Sequence, residues 1–207
     1  MEKSTHEIAI TMTTCPRPVP TIDRALKGLE GVIVHTDHDK KGAFQAFDKA
    51  LHSCIAADRK YCLVMPDDVI LVDGWREIVA EVMKQPKVGY FALYTPKGLG
   101  RRYKFTPGIN EITGGWANSW GGCYVIPTEV AKKVVANQFY QDHLHGRLSG
   151  KGLLNYAKGK RIDHVIPEVI HQLGLRQLYH APSLAVHIGI TSTLGHRHTN
   201  NEEPYGL

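Results

Sequence analysis

The sequence has no apolar run that approaches the roughly 18 to 20 continuous apolar residues a membrane-spanning helix needs. Its beginning, MEKSTHEIAITMTT, passes directly into a strand-like segment without the apolar core and small-residue cleavage site of a signal peptide. The few cysteines, Cys15, Cys54, Cys62 and Cys123, form no C-x-x-C pair and lie in apolar segments. We therefore expect reduced, buried thiols in a cytoplasmic protein without a membrane span, rather than a zinc knuckle or a disulfide framework.

Three motifs of common nucleotide-binding and hydrolytic enzymes are also missing. No G-x-G-x-x-G follows the first predicted strand, where a Rossmann dehydrogenase carries it; the chain continues CPRPVPT instead. There is no G-x-x-x-x-G-K-[ST] phosphate loop and no G-x-S-x-G hydrolase elbow. A nucleotide site in this chain would therefore have to manage phosphates with carboxylates and a metal ion, without a glycine-rich loop.

The composition is that of an ordinary soluble protein. At 207 residues the chain suits one domain that can bury a substantial core, and we find no internal repeat or domain-scale linker. The balance of 25 basic over 20 acidic residues is compatible with a phosphate-bearing partner but does not require one. We expect one domain over residues 1–207.

Strand-like and helix-like segments alternate along the chain, which is typical of an α/β domain with a mixed, mostly parallel sheet flanked by helices. The predicted strands cover residues 6–14, 31–37, 60–65, 87–95, 121–127 and 178–189. The predicted helices cover residues 21–29, which Thr21 could cap, 42–57, 73–85, 128–138, 142–157 and 164–173. A Gly-rich, basic and aromatic loop is expected at residues 96–120.

Two adjacent carboxylates, Asp67 and Asp68, follow the apolar run KYCLVM. Like charges held together oppose folding unless something neutralises them. With Asp37 at the end of the preceding predicted strand, they would lie at the carboxyl ends of neighbouring parallel strands, where open α/β sheets bind ligands. A divalent cation is one explanation of the pair; a solvated turn, with Asp73 capping the next helix, is the other.

Five segments, in chain order, resemble the GT-A class of nucleotide-sugar glycosyltransferases. They are TMTTCPRPVPTIDRALKGL, VIVHTD, GAFQAFDKALHSCIAA leading into YCLVMPDDVIL, GGWANSWGGCYVIPTEVAKKV, and IDHVIPEVIHQLGLRQLYHAPSLAVHIGITSTLG. The last is the most specific and is similar to the ending of N-acetylglucosaminyltransferase IV-type enzymes. The resemblance implies a single GT-A-like domain, with residues 1–95 as the nucleotide-binding half and residues 96–207 as the donor-sugar and acceptor half.

The resemblance implies a metal-dependent enzyme of the hexosyltransferase type that transfers a sugar from a nucleotide sugar to an acceptor hydroxyl. We expect a UDP-sugar as the donor and inversion at the transferred sugar. Asp68 and His187 would ligate Mn²⁺ or Mg²⁺, and an imidazole ligand somewhat favours Mn²⁺ over Mg²⁺. Asp67 would act through a bound water or the ribose hydroxyls. Many relatives have acid-x-acid where this chain has Pro66-Asp67-Asp68-Val69. It therefore stays open which of the two carboxylates contacts the metal. As one of twelve histidines, His187 could equally be an ordinary one.

The other implied roles surround this metal site. Thr13 and Asp37 would contact the base and ribose, and Arg17 is the basic candidate for the phosphates in the first loop. Asp163 would be the general base, although it could instead cap the helix expected from His164. The donor-sugar pocket would be lined by Trp116, Trp120 and Gly121. Asp37 could also simply start a loop, and the two tryptophans could be core anchors.

The acceptor is indicated by two basic clusters. KGLGRRYKF interleaves its charges with Tyr103 and Phe105, and KGKR precedes Asp163; the basic residues concerned are Arg101, Arg102, Lys104, Lys160 and Arg161. Charges with aromatic rings are typical of nucleic-acid grooves, and a solvated loop is the alternative. Because some small bacteriophage enzymes of the class glycosylate hydroxymethylated pyrimidines in DNA, DNA is our leading acceptor hypothesis. A surface glycan or protein acceptor, a nucleotidyltransferase and a non-catalytic nucleic-acid-binding module stay open, and no oligomeric state is indicated.

Overall fold

The structure of the protein, a computed structural model, describes residues 7–16, 20–39, 42–113, 122–147 and 162–188. Strands in this part of the chain are β1 (Ile8–Thr14), β2 (Ile33–Thr36), β3 (Tyr61–Pro66), β4 (Val69–Leu71), β5 (Val88–Ala92), β6 (Gly108–Ile112), β7 (Tyr124–Pro127), β8 (Arg176–Ala181) and β9 (Ala185–His187). Helices are α1 (Ile22–Leu26), α2 (Ala43–Ala56), α3 (Trp75–Val82), α4 (Lys97–Tyr103), α5 (Thr128–Ala136), α6 (Gln138–Leu144) and α7 (Ile162–Gln172). Among these helices none combines the length and apolar character needed to cross a membrane.

The main sheet has seven strands in the order β2-β1-β3-β7-β5-β8-β6. β1 pairs in parallel with β2 and β3, and β5 pairs in parallel with β8. β7 runs antiparallel to β3 and β5, and β6 runs antiparallel to β8. The remaining five strands therefore share one direction, which confirms the predicted α/β class with a mixed, mostly parallel sheet. Because β7 lies between β3 and β5, both predicted halves of the chain contribute to the same sheet.

The side chains of β3 alternate between two apolar cores, because successive residues of a strand point to opposite faces of the sheet. Cys62 and Val64 belong to the core that contains the apolar side of α2, and Leu63 and Met65 belong to the core that contains α3. The sequence pattern predicted the buried stripe of α2, whose largest members are Phe44, Phe47, Leu51 and Cys54. Strand β3 is thus covered by apolar side chains on both faces, so we expect a ligand to meet its residues at a strand end.

Two predicted helix caps are wrong. The cap position of α3 is occupied by Gly74, with a left-handed φ of 80°, and not by Asp73. A glycine adopts this backbone without a steric cost, so it serves as the start of the helix. Thr21 does precede α1, but its side chain does not cap that helix either, and α1 ends at Leu26.

The loop predicted over residues 96–120 contains α4 and the edge strand β6 in its described part. Both are short, and the Gly- and Arg-rich α4 has no apolar stripe from which it could be predicted. The helix predicted from residue 142 starts earlier, at Gln138, because the Asn137 side chain accepts a hydrogen bond from the Phe139 N–H at 2.8 Å and caps it. Residues 148–157 of that prediction lie outside the described residues.

Candidate functional site

The carboxyl ends of β1, β2 and β3 form the edge at which the predicted acids meet. The backbone N–H of Asp37 donates to the carbonyl of Thr14 at 2.8 Å, and the N–H of Asp67 donates to the carbonyl of Thr13 at 3.0 Å. These two bonds continue the pairing of β1 by one residue beyond the end of β2 on one side and of β3 on the other. Asp37 and Asp67 therefore flank the end of β1 on its two sides, as expected for a ligand site of an open α/β sheet.

Asp68 and His187 lie in contact, with the carboxylate Oδ2 3.3 Å from the imidazole Nε2. The chain leaves the main sheet at the Asp67–Asp68 turn and enters β4, which pairs antiparallel with β9 and places Val69 opposite His187. The N–H of Ile188 donates to the carbonyl of Asp68 at 2.7 Å and continues this pairing. The small two-stranded sheet therefore holds the acid and the imidazole together, and both side chains keep access to solvent.

Asp67 has different surroundings from its neighbour. Its residue surface is only 2% exposed, and its Oδ2 accepts hydrogen bonds from the hydroxyls of Thr14, at 2.6 Å, and Thr21, at 3.2 Å. Buried carboxylates require such partners, since an uncompensated charge away from water is costly. The Asp67 carboxylate is thus buried against the Thr14 and Thr21 hydroxyls, and the Asp68 carboxylate contacts the His187 side chain.

Asp37 follows β2 and closes the turn into α2. Its Oδ2 accepts a hydrogen bond from the N–H of Gly42 at 2.9 Å, and Gly42 has a φ of 112° that favours glycine. The carboxylate thereby lies at the start of α2, where the unpaired N–H groups of the first helical turn favour negative charge. This contact is compatible with the alternative in which Asp37 simply starts a loop. The contact of Asp37 with the ribose stays a prediction.

The donor set of Asp68 and His187 fits a divalent cation that is bound together with a phosphate ligand. A carboxylate and an imidazole are both ligands of Mn²⁺, and metals at phosphate sites commonly take only one or two protein ligands. Within the described ranges, no group of three His, Cys, Asp or Glu side chains forms a complete metal cage. The remaining positions of a cation here would go to phosphate oxygens and water.

The structure describes the other predicted site residues unevenly. The backbone of Asp163 lies in the first turn of α7, which begins at Ile162, so Asp163 does not precede a helix that starts at His164. Residues outside the described ranges include the phosphate candidate of the first loop, the predicted sugar-pocket residues and the second basic cluster: Arg17, Trp116, Trp120, Gly121, Lys160 and Arg161. Their roles stay predictions.

A buried polar network holds α7 on the sheet. The Tyr90 hydroxyl donates to the Gln177 side-chain oxygen at 3.0 Å, and the Gln177 amide nitrogen donates to the carbonyl of Pro167 at 3.1 Å. The hydroxyls of Tyr90 and Tyr179 also contact each other. The Gln177–Pro167 bond thus ties this sheet network to α7, the helix that contains Asp163.

The first basic cluster forms α4 and the residue after it. Arg101, Arg102 and Lys104 are exposed, and the Arg102 guanidinium lies 5.6 Å from the centroid of the half-buried Tyr103 ring. Phe105, in contrast, is buried, with its ring centroid 5.6 Å from that of Tyr179. The expectation that both aromatic residues are available to stack on bases is therefore wrong for Phe105, which is part of the core.

Three residues near the acids were missed by the sequence reading. The half-buried Tyr94 packs its ring beside that of His187, with centroids 6.0 Å apart. Thr14 and Thr21 hold Asp67, although the sequence suggested only a strand end and a helix cap for them. Tyr94 follows a fully buried strand without a break in pattern, so no sequence signal marked it. The threonines of TMTT were the sequence feature that indicated polar contacts at the end of β1.

No protein-family model matches the sequence, and no curated protein matches it. Among solved structures, the fold is similar to A197 from STIV, at 14% identity over 86% of this chain and 85% of that one, with a TM-score of 0.47. It is similar to a Bacillus anthracis protein described as a glucose-1-phosphate thymidylyltransferase, in complex with a sucrose, at 11% identity over 91% and 92% of the two chains and a TM-score of 0.47. A glycosyltransferase involved in the glycosylation of the major capsid of PBCV-1 matches at 13% identity over 89% and 94% of the chains, with a TM-score of 0.38.

Proposed function

We propose that the protein is a metal-dependent glycosyltransferase that moves a sugar from a UDP-sugar to an acceptor hydroxyl. The observation that supports this most is the 3.3 Å contact between Asp68 Oδ2 and His187 Nε2 at the carboxyl end of the central strands. A carboxylate and an imidazole from distant parts of the chain meet where an α/β sheet binds ligands. Two of the five segments that resemble the GT-A class contain these two residues.

Asp68 and His187 would hold Mn²⁺, or Mg²⁺, against the donor diphosphate. The cation, when bound, neutralises the charge that develops on the departing diphosphate. Asp37 and Thr13, at the ends of β2 and β1, would orient the ribose and base, and Arg17 would add positive charge beside the phosphates. The donor sugar would lie against Trp116, Trp120 and Gly121, since aromatic faces pack on sugar C–H groups and glycine permits close backbone approach.

Asp163 would take the proton from the acceptor hydroxyl as a general base, the role that an inverting transfer requires. It lies in the first turn of α7, and α7 packs against β8, the strand that leads towards His187. The buried Tyr90–Gln177–Pro167 contacts hold this helix in one place. A base must be held within hydrogen-bond reach of the acceptor, and a helix fixed on the sheet provides that rigidity.

For the acceptor we propose a hydroxymethylated pyrimidine in DNA, as expected of a bacteriophage-type DNA-modifying enzyme. Support comes from the exposed side chains of Arg101, Arg102 and Lys104 and from the half-buried Tyr103 beside them; Lys160 and Arg161 would extend the same positive surface. Positive charge follows the phosphate backbone without regard to sequence. An enzyme acting on a base inside a duplex must also flip that base out of the stack.

Calorimetry with UDP, with and without Mn²⁺, tests the donor site. We expect UDP to bind in the presence of Mn²⁺ and to lose most of its affinity without the metal. Nucleoside triphosphates and GDP serve as controls. Metal-independent binding would contradict the proposed metal site, and preferential use of triphosphates would favour a nucleotidyltransferase.

Mass spectrometry of DNA after incubation with a panel of UDP-sugars tests the acceptor. We expect a hexose mass on hydroxymethylated DNA and no change on the matched unmodified DNA. Slow hydrolysis of the UDP-sugar with no modified DNA would keep the donor assignment and contradict the acceptor. Glycan and protein hydroxyls would then be tested in its place. DNA binding without any UDP affinity would indicate a non-catalytic module.

A further inference from the structure

The two adjacent acids of the turn after β3 are exposed to very different degrees. Asp67 is 2% exposed, whereas the side chains of Asp68 and His187 are 19% and 29% exposed. The side chains of Asp68 and His187 are therefore more accessible to a ligand than that of Asp67. To touch Asp67, a ligand would first have to displace the groups that cover it.

The groups that cover Asp67 come from both ends of the connection between β1 and α1. Thr14 is the last residue of β1, and Thr21 directly precedes α1; both hydroxyls donate to the same oxygen of Asp67, at 2.6 and 3.2 Å. The carbonyl of Thr21 in turn accepts from the N–H groups of Arg24 and Ala25, each at 3.1 Å. One carboxylate oxygen therefore joins the end of a strand to the start of a helix.

The sequence of this connection is rich in proline, which limits the backbone hydrogen bonds that it can donate. Residues 15–20 read CPRPVP, and the prolines at positions 16, 18 and 20 carry no N–H group to donate. The Thr21 side chain, which a helix start would ordinarily use as a cap, is directed to Asp67 instead. Charge-assisted hydrogen bonds of this O–H···O⁻ kind are stronger than bonds between neutral groups.

We infer that Asp67 is a positioning residue that holds the start of α1 against the end of β1, while Asp68 is the acid of the pair that meets the ligand. The identity of that ligand rests on the proposed function; the structural role of Asp67 does not. This assignment differs from a role of Asp67 in direct contact with ribose or bound water. On this inference, Asp68 is the carboxylate of Pro66-Asp67-Asp68-Val69 that would ligate the metal.

Three sets of substitutions distinguish a positioning role of Asp67 from a role as a metal ligand. Asp67→Asn keeps the shape of the side chain but removes its charge. The double change Thr14→Val with Thr21→Val removes both threonine hydroxyls and leaves the carboxylate. Asp68→Asn is the matched comparison at the neighbouring acid. Thr14→Ser and Thr21→Ser keep the hydroxyls and serve as conservative controls in case the valine variants fold poorly.

The first readout is amide hydrogen exchange of residues 21–29 in the protein without ligand. We expect Asp67→Asn and the double valine variant to exchange at least several-fold faster there than the wild type. Asp68→Asn and the serine controls should match the wild type. Because this readout uses no nucleotide, it decides the role of Asp67 even if UDP does not bind. Unchanged exchange in Asp67→Asn would overturn the inference.

The second readout is UDP affinity by calorimetry with and without Mn²⁺. Loss of a supporting partner commonly costs about 10- to 100-fold in affinity or activity, so we expect Asp67→Asn to weaken UDP binding about tenfold under both conditions. Asp68→Asn should instead remove the difference that Mn²⁺ makes. Loss of the Mn²⁺ effect in Asp67→Asn would make Asp67 a metal ligand. Failure of the wild type to bind UDP would contradict the proposed function alone.

Discussion

His187 Nε2 lies 3.3 Å from Asp68 Oδ2, and the pairing of β9 with β4 places these residues side by side although they come from distant parts of the chain. Backbone hydrogen bonds continue the β4–β9 pairing at both of its ends. The Ile188 N–H donates to the Asp68 carbonyl, and the Val72 N–H donates to the Leu184 carbonyl. The acid and the imidazole are therefore held by backbone pairing, which makes their contact a property of the fold.

Asp68→Ala should abolish transfer, or lower it by at least about a hundredfold, because it removes an electrostatic group at the reacting diphosphate. Stability should hardly change, since an ion pair at this exposure contributes about 1 kcal/mol or less. Turnover with a UDP-sugar and thermal unfolding measure the two effects. Asp73→Ala is the matched control, since Asp73 is an exposed acid only a few residues away. Near-normal turnover in Asp68→Ala would remove this residue from the metal site.

Asp163→Asn should bind UDP with normal affinity but fail to transfer sugar. The amide keeps the size of the carboxyl group and cannot accept the acceptor's proton at neutral pH. Calorimetry measures the binding step and product formation measures the transfer step. If the variant instead loses stability and donor affinity together, Asp163 supports the helix start and another residue is the base.

Charge reversal at Arg101 and Arg102 should weaken DNA binding roughly tenfold or more at low salt and less at high salt. Each phosphate contact that is lost lowers the slope of log K against log salt by about 0.9 on duplex DNA. Fluorescence anisotropy with labelled DNA over a salt series measures this slope. The same reversal at Lys132 and Lys133, exposed on α5, is the control for net charge. Equal losses in both variants would show that only total charge matters.

Gly89→Ala should destabilise the protein by about 1–3 kcal/mol through overpacking. A Cβ at Gly89 would lie 2.3 Å from Ile170 Cγ2 on α7 and 2.9 Å from Leu175 Cβ. Urea unfolding measures the loss. In an Ile170→Ala background the added methyl group should cost less, and this coupling shows whether the clash with α7 is the cause. Additive effects would place the strain elsewhere.

Cys15 should be the cysteine that a thiol reagent labels in the folded protein. It is half-exposed, whereas Cys54, Cys62 and Cys123 are buried, and burial raises the pKa of the Cys123 thiol, which keeps it protonated and unreactive. Mass spectrometry of labelled peptides identifies the site. In guanidinium chloride all four should react. Fast native labelling of Cys123 would mean that the core beside β7 opens readily.

Regular elements with strong periodicity could be predicted from the sequence. The stripe of α2 and the apolar run of β3 are local patterns, and each was recognised because the neighbours that bury it impose the same spacing on the residues. Short elements could not be predicted. β4 and β9 have three residues each and exist because they pair with each other. The edge strand β6 and the seven-residue α4 likewise depend on contacts with the rest of the fold.

The sequence by itself determined the α/β class and the location of acidic residues after the second and third strands, because both follow from patterns within a few residues. Tertiary structure alone decided that the two adjacent acids have different surroundings. Asp67 and Asp68 are chemically equivalent in the sequence, and their difference comes from Thr14, Thr21 and His187, which the fold brings in from distant positions. The charge of one acid is met by hydroxyls inside the protein, and that of the other by an imidazole at the surface.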